Sequence, residues 1–319
     1  MRVVVTGGAG FIGANLCALL SRDDGISVTA LDDLSTSTLD NLDGVDVEFV
    51  EGSILDATTL DRVMDGVDAV VHLAARPSVP RSLEDPMATH RVNATGTMEV
   101  LEAARRAGSP QVIVASSSSV YGANPVIPKT EDLPTLPVSP YAASKLATEA
   151  YALSFQHSFG LPVLAFRFFN VFGPLQGADH AYAAVVPAFV AAALRGDRLV
   201  VHGDGEQTRD FTSVATVSQV IRAAIHRRVT RSEPVNLAFG TRTNLMELIA
   251  LLERLVGHPL PVEHTAPRPG DVRHSQADST RVRDLFSDIE PVNLETALRA
   301  TVDWFRSARR EDPVSRPGR

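Results

Sequence analysis

Short apolar runs alternate with longer amphipathic stretches through the first half of the chain, and Gly, Asp or Pro bounds each run. "RVVVT", "SVTAL", "VEFVEG", "DAVVHLA", "QVIVAS" and "PVLAFRF" have the composition of buried strands. Between them, residues 12–21, 58–65, 86–107 and 140–159 carry helical spacing. Strand–helix alternation sustained over more than half the chain predicts an α/β fold, a doubly wound parallel sheet of about six or seven strands with helices on both faces. Residues 1–170 form the expected Rossmann domain. After that the rhythm loosens into a loop, a helix near 183–195 and shorter pieces. Residues 171–308 are therefore expected to form mainly a smaller substrate-binding lobe, with room for returns to the first domain. Residues 309–319 are charged and Pro-containing, the composition of a disordered tail.

Composition narrows the partners. A chain of 319 residues with 44% hydrophobic content can bury a large core, and a net charge of −8 argues against a nucleic-acid groove or an anionic membrane surface. Small metabolites remain. The single cysteine, Cys17, excludes an internal disulfide and a Cys-based zinc site, and the nine histidines show no paired metal spacing, so no metal is expected. No basic leader precedes the first strand and no apolar run is long enough to span a bilayer, which predicts a cytoplasmic protein.

"TGGAGFIG" follows the first strand and opens the first helix, the context a dinucleotide-binding turn requires. Gly7 permits the tight turn, Gly10 lets backbone N–H groups approach a pyrophosphate, and Gly13 lets helix and sheet pack closely, with Phe11 and Ile12 beside them. Asp32 ends the second strand, nineteen residues after Gly13, where a carboxylate can accept from both ribose hydroxyls of adenosine. Together with Asp33 it would repel a 2′-phosphate, so the expected cofactor is NAD rather than NADP. Ile54 and Asp56 after the third strand, Leu73, Ala74 and Ala75 at the end of the fourth, and Asn93 complete the expected cofactor site.

"SSSSVYG" begins at Ser116, at the carboxyl end of a buried strand, where parallel sheets place their ligands. In "SPYAASK", Ser139 is a plausible N-cap and Pro140 a first-turn residue, which puts Tyr141 and Lys145 one turn apart on one helix face. A phenol titrates near about 10 and needs a nearby cation to act as a base at neutral pH, and Lys145 supplies one.

These motifs resemble the extended short-chain dehydrogenases that modify nucleotide sugars, among them the UDP-glucose and UDP-N-acetylglucosamine 4-epimerases. The resemblance covers nearly the whole chain through "TGGAGFIG", "HLAARPSVPRSLEDP", "NATGT", "SSSSVYG", "PYAASK", "RFFNVFGP", "GDGEQTRDF" and "RPGDVRHSQAD". It implies Ser117, Tyr141 and Lys145 as the catalytic group. Ser78, Ser118, Ser119, Asn170, Gln176, Ala184, Arg209, Arg268, Asp271 and Ser275 would then line the substrate site. The family's 4,6-dehydratases carry an Asp-Glu pair immediately after the catalytic hydroxyl, where Ser118 and Ser119 stand here, so the resemblance favours epimerisation at carbon 4. Tyr141 would remove the 4-hydroxyl proton beside Ser117. A 4-keto sugar would turn over in the pocket and be reduced on its other face, leaving NAD retained.

Ser275 stands where epimerases restricted to plain hexoses resemble one another in a bulky Tyr, and Gln176 and Ala184 match those acting on UDP-N-acetylglucosamine. A 2-acetamido sugar is the first expectation, a UDP-hexose the second. Arg76 and Arg81 would suit a uronic acid carboxylate, and a dTDP-sugar remains open. Pro77 departs from the Gly of the acetamido-sugar epimerases, and "DFTSVATV" lacks the acidic residue that usually follows "RDF". The competing classes are a nucleotide-sugar lyase and a non-catalytic NAD-sensing regulator. The resemblance also implies a homodimer built on the helices near 86–107 and 140–159.

Overall fold

The computed structural model describes residues 1–178, 183–267 and 273–311, the side chains of 309–311 excepted. Arg268, Asp271 and the end of the tail from 312 lie outside the described residues. Seven strands form the central sheet: β1 (Arg2–Thr6), β2 (Ser27–Asp32), β3 (Glu48–Glu51), β4 (Ala69–His72), β5 (Gln111–Ser117), β6 (Val163–Phe168) and β7 (Val235–Leu237). Their spatial order is β7-β6-β5-β4-β1-β2-β3, with every neighbouring pair parallel. The winding reverses between β1 and β4, and the crevice outside their carboxyl ends is where such sheets bind ligands.

Helices cover both faces, which is why the strands are apolar on both sides. On one face, Val3 and Val5 join Leu16 and Leu20 of α1 (Phe11–Leu20). On the other, Val4 joins Leu60 of α2 (Ala57–Met64), Leu101 of α3 (Gly96–Arg106) and Phe155 of α4 (Pro140–Phe159). The smaller lobe has its own core, in which Phe189 and Val190 of α5 (Val185–Arg195) meet further helices described below.

The chain returns to the first domain after residue 171. Helix α6 (Val214–His226) packs Val217 and Ile221 into the α1 core, and β7 adds to the β6 edge. The chain then goes back to the lobe with α7 (Leu245–Val256) and, at its end, α8 (Leu294–Glu311), whose Leu248, Leu252, Leu298 and Val302 close that core. Between them Val282 and Phe286 again reach the first core. The departure in "DFTSVATV" has a local answer: Ser213 caps α6, its hydroxyl accepting from Ala215 N at 3.2 Å. A neutral cap thus satisfies a first-turn N–H group at the start of this helix.

The helix expected over 86–107 is interrupted. Turns at Pro86–His90 and α3 flank a wider π-type turn at Arg91–Thr95. Its centre, Asn93, is buried and sends its side chain out to the β4 loop and to α4 rather than along the helix. π-turns of this kind concentrate at functional sites. Among the described residues no helix is long and apolar enough to cross a membrane.

Gly7 has φ +71°, and a Cβ on Gly13 would stand 2.0 Å from Gly7 O. The first turn of α1 therefore rests directly on the backbone of the Gly-rich turn. Gly13→Ala is expected to lower unfolding stability by about 1–3 kcal/mol, the usual cost of overpacking, as measured by urea denaturation.

Candidate active site

A cleft of about 1460 Å³ opens at the carboxyl ends of the strands, larger than the ~300–1,000 Å³ of a site for one small ligand. It has room for two nucleotide-sized molecules. Gly7, Gly10, Phe11, Ile12, Gly13, Asp32, Ile54, Leu73, Ala74 and Ala75 all line it. Asp32 is held rigidly: Oδ2 accepts from Ala9 N at 3.0 Å, and Oδ1 accepts from Leu34 N at 2.9 Å and from the Ser37 hydroxyl at 2.8 Å. A Cβ on Gly7 would stand 2.7 Å from Ala74 N and one on Gly10 3.2 Å from Gly7 O, so glycines let this turn pack closely. A Gly-rich turn on the cleft lining at a helix start, beside a fixed carboxylate at the end of β2, fits the pyrophosphate and adenosine ribose of NAD.

Two of the expected cofactor residues, Asp56 and Asn93, make structural contacts away from the lining. Asp56 caps α2, with Oδ1 accepting from Thr58 N at 3.1 Å and Oδ2 from the Thr59 hydroxyl at 2.6 Å, and does not line the cleft. Ser53 occupies the lining position beside Ile54. The Asp56 carboxylate is drawn below the usual range by the Thr59 hydroxyl, the mark of a committed cap. Asn93 lies behind the cleft wall rather than in it. Its Oδ1 accepts from Arg76 N at 2.7 Å and its Nδ2 donates to the Ser144 hydroxyl at 2.9 Å, which ties the loop after β4 to α4.

Ser117 ends β5, while Tyr141 and Lys145 project from α4 into the same cleft. Ser139 caps α4 through its hydroxyl, accepting from Ala142 N at 3.1 Å, so the helix starts in register with Tyr141 on its first turn. Burial pushes the Tyr141 phenol up, and the neighbouring Ser117 hydroxyl draws it down. Burial also pushes the Lys145 ammonium down to about 8, and its Nζ donates to Ala115 O at 2.9 Å. His72, at the end of β4, is held neutral: burial first and the Lys145 charge second push it down to about 3. Its ring bridges the Thr6 and Thr97 hydroxyls at 2.8 and 3.0 Å, so it braces β1 and β4 against α3.

Ser78, Ser118, Ser119, Asn170, Gln176, Ala184, Arg209 and Ser275 all line the far part of the cleft. Three liners outside glycine hold positive φ: Ser78 at +94°, Asn170 at +34° and Leu175 at +68°. Such backbone persists where the surroundings impose it, and it clusters at binding sites. Among the described residues, the buried Ser119 Oγ and Gln176 Oε1 have no hydrogen-bond partner. Gln176 Nε2 donates to Val171 O at 3.2 Å, which orients the amide so that its oxygen is the free acceptor. Asn170 Nδ2 donates to Asp210 O at 3.1 Å, and Arg209 Nη1 donates to Thr208 O at 2.9 Å. Arg81 lines the cleft, whereas Arg76 lies 4.0 Å from Asp85 in a weak ion pair. Asp32 and Asp33 are the carboxylates on the lining among the described residues, both at the end of β2.

Sequence reasoning missed Ser37 and Asn41, which line the cofactor half and brace its loop, Asn41 Nδ2 donating to Ala9 O at 2.8 Å. The polar run after Asp32, "DLSTST", was the available signal. It also missed Asp210, buried beside Arg209, which collects Gly240 N, Thr241 N, the Thr241 hydroxyl and Ala277 N and so fastens the wall that carries Ser275. Burial pushes its carboxyl up against those four donors. No group of His, Cys, Asp and Glu among the described residues is arranged to hold a metal.

Comparisons with known proteins agree with this geometry. The model of the NAD dependent epimerase/dehydratase family matches residues 3–238. A UDP-glucose 4-epimerase of Mycolicibacterium smegmatis is 38% identical, over 96% of this chain and 99% of its own. A dTDP-glucose 4,6-dehydratase of Streptomyces griseus is 35% identical, over 96% of this chain and 94% of its own. The solved UDP-N-acetylglucosamine 4-epimerase from Methanobrevibacter ruminantium, in complex with UDP-N-acetylmuramic acid, superposes with a TM-score of 0.91 at 36% identity, over 96% of this chain and 98% of that one. The chain belongs to the NAD dependent epimerase/dehydratase family. Within that family it is an NAD-dependent epimerase, an isomerase by reaction class.

Lys145 carries a pH signature. Its folded pKa lies near 8 against 10.5 in the unfolded chain, so between those values the unfolded state binds more protons and stability rises with pH. The cost of the buried charge is fully present below pH 8. In cofactor-stripped protein, the stability advantage of Lys145→Met over the parent should shrink by on the order of 3 kcal/mol between pH 7.5 and 10.5, measured by urea denaturation.

Proposed function

We propose that this enzyme inverts carbon 4 of a UDP-activated hexose, with UDP-N-acetylglucosamine and UDP-N-acetylgalactosamine as the preferred pair. The observation that carries the sugar assignment is the amide of Gln176. Gln176 is on the cleft lining, its nitrogen is tied to the Val171 carbonyl, and its oxygen, buried in the wall with no hydrogen-bond partner, is an acceptor that an N–H of the substrate would satisfy. Ser275, small and on the opposite wall, leaves room for the acetyl group. A small side chain permits a large group without demanding it, so Gln176 rather than Ser275 decides the choice.

NAD, when bound, supplies the reversible oxidation and reduction at carbon 4. The protein's own residues handle the proton and the position. Tyr141 takes the proton of the 4-hydroxyl and later returns it. Ser117 bridges the phenol and the sugar oxygen. Lys145, cationic at neutral pH, holds the phenolate. Arg209, with the cleft wall behind it, faces the diphosphate as a fork of donors suited to phosphate oxygens. Anchoring the nucleotide there leaves the sugar end free to turn over. Elimination in the manner of a dehydratase needs an acid beside the sugar, and Ser118 and Ser119 stand where it would be. The carboxylates that line the cleft are at the adenosine end instead.

A second copy of the chain is the proposed partner. Leu83, Met87, Tyr151 and Phe159 are exposed at 66, 60, 40 and 54% on the segments near Pro86–His90 and on α4, an unusual set of large apolar side chains in water. They fit a four-helix contact between two protomers.

Purified protein with no added cofactor should interconvert the two acetamido sugars, followed by proton NMR, and convert UDP-glucose more slowly. Conversion of UDP-glucuronic acid alone would overturn the acetamido assignment in favour of Arg81. Tyr141→Phe should lower kcat by about 10²–10⁴ while leaving copurified NAD in place. Separately, Tyr151→Glu combined with Phe159→Glu should turn a dimer into a monomer in light scattering.

A further inference from the structure

The three catalytic side chains sit on two elements, Ser117 on β5 and Tyr141 with Lys145 on α4, so something must hold the helix at one height and rotation over the strand. One turn beyond Lys145 on the same helix face, Glu149 is buried, and its carboxylate reaches the sheet. Oε2 accepts from the Ser116 hydroxyl at 2.9 Å and from Arg167 Nε at 2.9 Å, and Oε1 accepts from Arg167 Nη2 at 2.6 Å. Ser116 and Arg167 are direct partners in the pairing of β5 with β6. One carboxylate therefore spans two neighbouring strands from a single helix.

Arg167 is itself clamped. Its guanidinium lies over the Tyr121 ring at 4.8 Å, and Nη1 donates to Glu131 O at 3.1 Å. Tyr121 Oη donates to Asn236 Oδ1 at 2.6 Å, and Asn236 Nδ2 donates to Lys129 O at 2.8 Å. Lys129 N in turn donates to Gln276 O at 2.8 Å, next to Ser275. The chain of bonds runs from the catalytic helix to the wall of the sugar site. Neither Glu149 nor Arg167 lines the cleft, so neither touches substrate. Stability alone does not account for them, because apolar side chains of similar volume often serve as well as a buried ion pair. A two-pronged guanidinium–carboxylate contact does something apolar packing does not: it sets direction.

We propose that Glu149, paired with Arg167, is a positioning residue that sets the Ser117 hydroxyl against Tyr141 and Lys145. The inference rests on the catalytic reading of those three residues. Ser116→Ala, at a position on the cleft lining, removes the strand's bond to the carboxylate together with a longer one to Lys145 O at 3.4 Å and leaves both charges paired, so the double variant, which leaves Ser116 in place, is read beside it. The double variant Glu149→Gln, Arg167→Met removes both charges together.

In the NAD-loaded enzyme, Ser116→Ala should lower kcat at least about tenfold with KM within about twofold. The acid limb of the kcat–pH profile should also move to higher pH, since a displaced Ser117 no longer draws the phenol down. The double variant should show the same kcat loss and the same displacement. A merely structural pair would lower the melting temperature and leave both kcat and the pH limb in place, and that result in Ser116→Ala overturns the proposal even if the double variant does not fold. Tyr141→Phe is run beside them. Full activity there would overturn the catalytic reading itself, whereas an inactive Tyr141→Phe beside an unaltered Ser116→Ala would overturn the positioning role alone.

Discussion

A phenol and an ammonium buried one turn apart on a single helix, at the end of a parallel sheet, set the constraint that the surrounding structure meets. Burial raises one pKa and lowers the other, so each group is driven toward its neutral form. Base catalysis needs the opposite pair of states, phenolate and ammonium, and each makes the other less costly. In the proposed mechanism the site would work where Lys145 still holds its proton, below about pH 8 in the protein alone, and where Tyr141 is helped to lose its own. The Ser117 hydroxyl draws the phenol down and the Ala115 carbonyl accepts from the Lys145 ammonium, both from β5, which makes the height of α4 over β5 the critical dimension.

The architecture around the pair holds that dimension from several sides. His72 is kept neutral and bridges two threonines across β1, β4 and α3, so no second cation competes at the sheet end. Asn93 opens its helix into a π-turn in order to bond the loop after β4 and Ser144 on α4 together. Asp210 gathers four donors and fixes the outer wall. Each is a buried polar group with its partners satisfied, which specifies one arrangement of elements rather than merely filling space.

The first six strands, the Gly-rich turn, Asp32 and the Tyr–Lys helix were legible because each is a local signal: a run of β-branched residues, a spacing of glycines, one turn of a helix. The return of α6 and β7 to the first domain was not, since their apolar pattern says that they are buried without saying against what. Asn93 read as part of the cofactor site, and its helix as unbroken, because a π-turn has no local signature when the partners of its side chain lie on another helix and a loop. Asp56 was named with Ile54 in the expected cofactor site. Its nearer claim on Thr58 and Thr59 is a helix start that the same letters also encode. Glu149 and Arg167, eighteen residues apart and unremarkable in composition, became partners only once the sheet set Ser116 beside Arg167.

The distribution of charge along the cleft bears on why this chain isomerises rather than eliminates. Both epimerisation and dehydration begin by oxidising carbon 4, and they part at the next step, where elimination requires an acid close to the sugar. Asp32 and Asp33, the lining carboxylates among the described residues, lie at the end of β2, while Ser117, Ser118 and Ser119 line the cleft at the end of β5, so in the proposed reading no acid stands beside the sugar to push the ketone onward. What remains available is release of the ring from one face and its capture on the other. In the proposed reading, small side chains at Ser275 and Ala184 and the amide of Gln176 would hold the substituent at carbon 2 lightly enough to permit that turn, with Arg209 on the diphosphate. Loose binding of the reacting ring is thus a requirement of the reaction, and the rigid network behind the cleft is what allows the front of it to be loose.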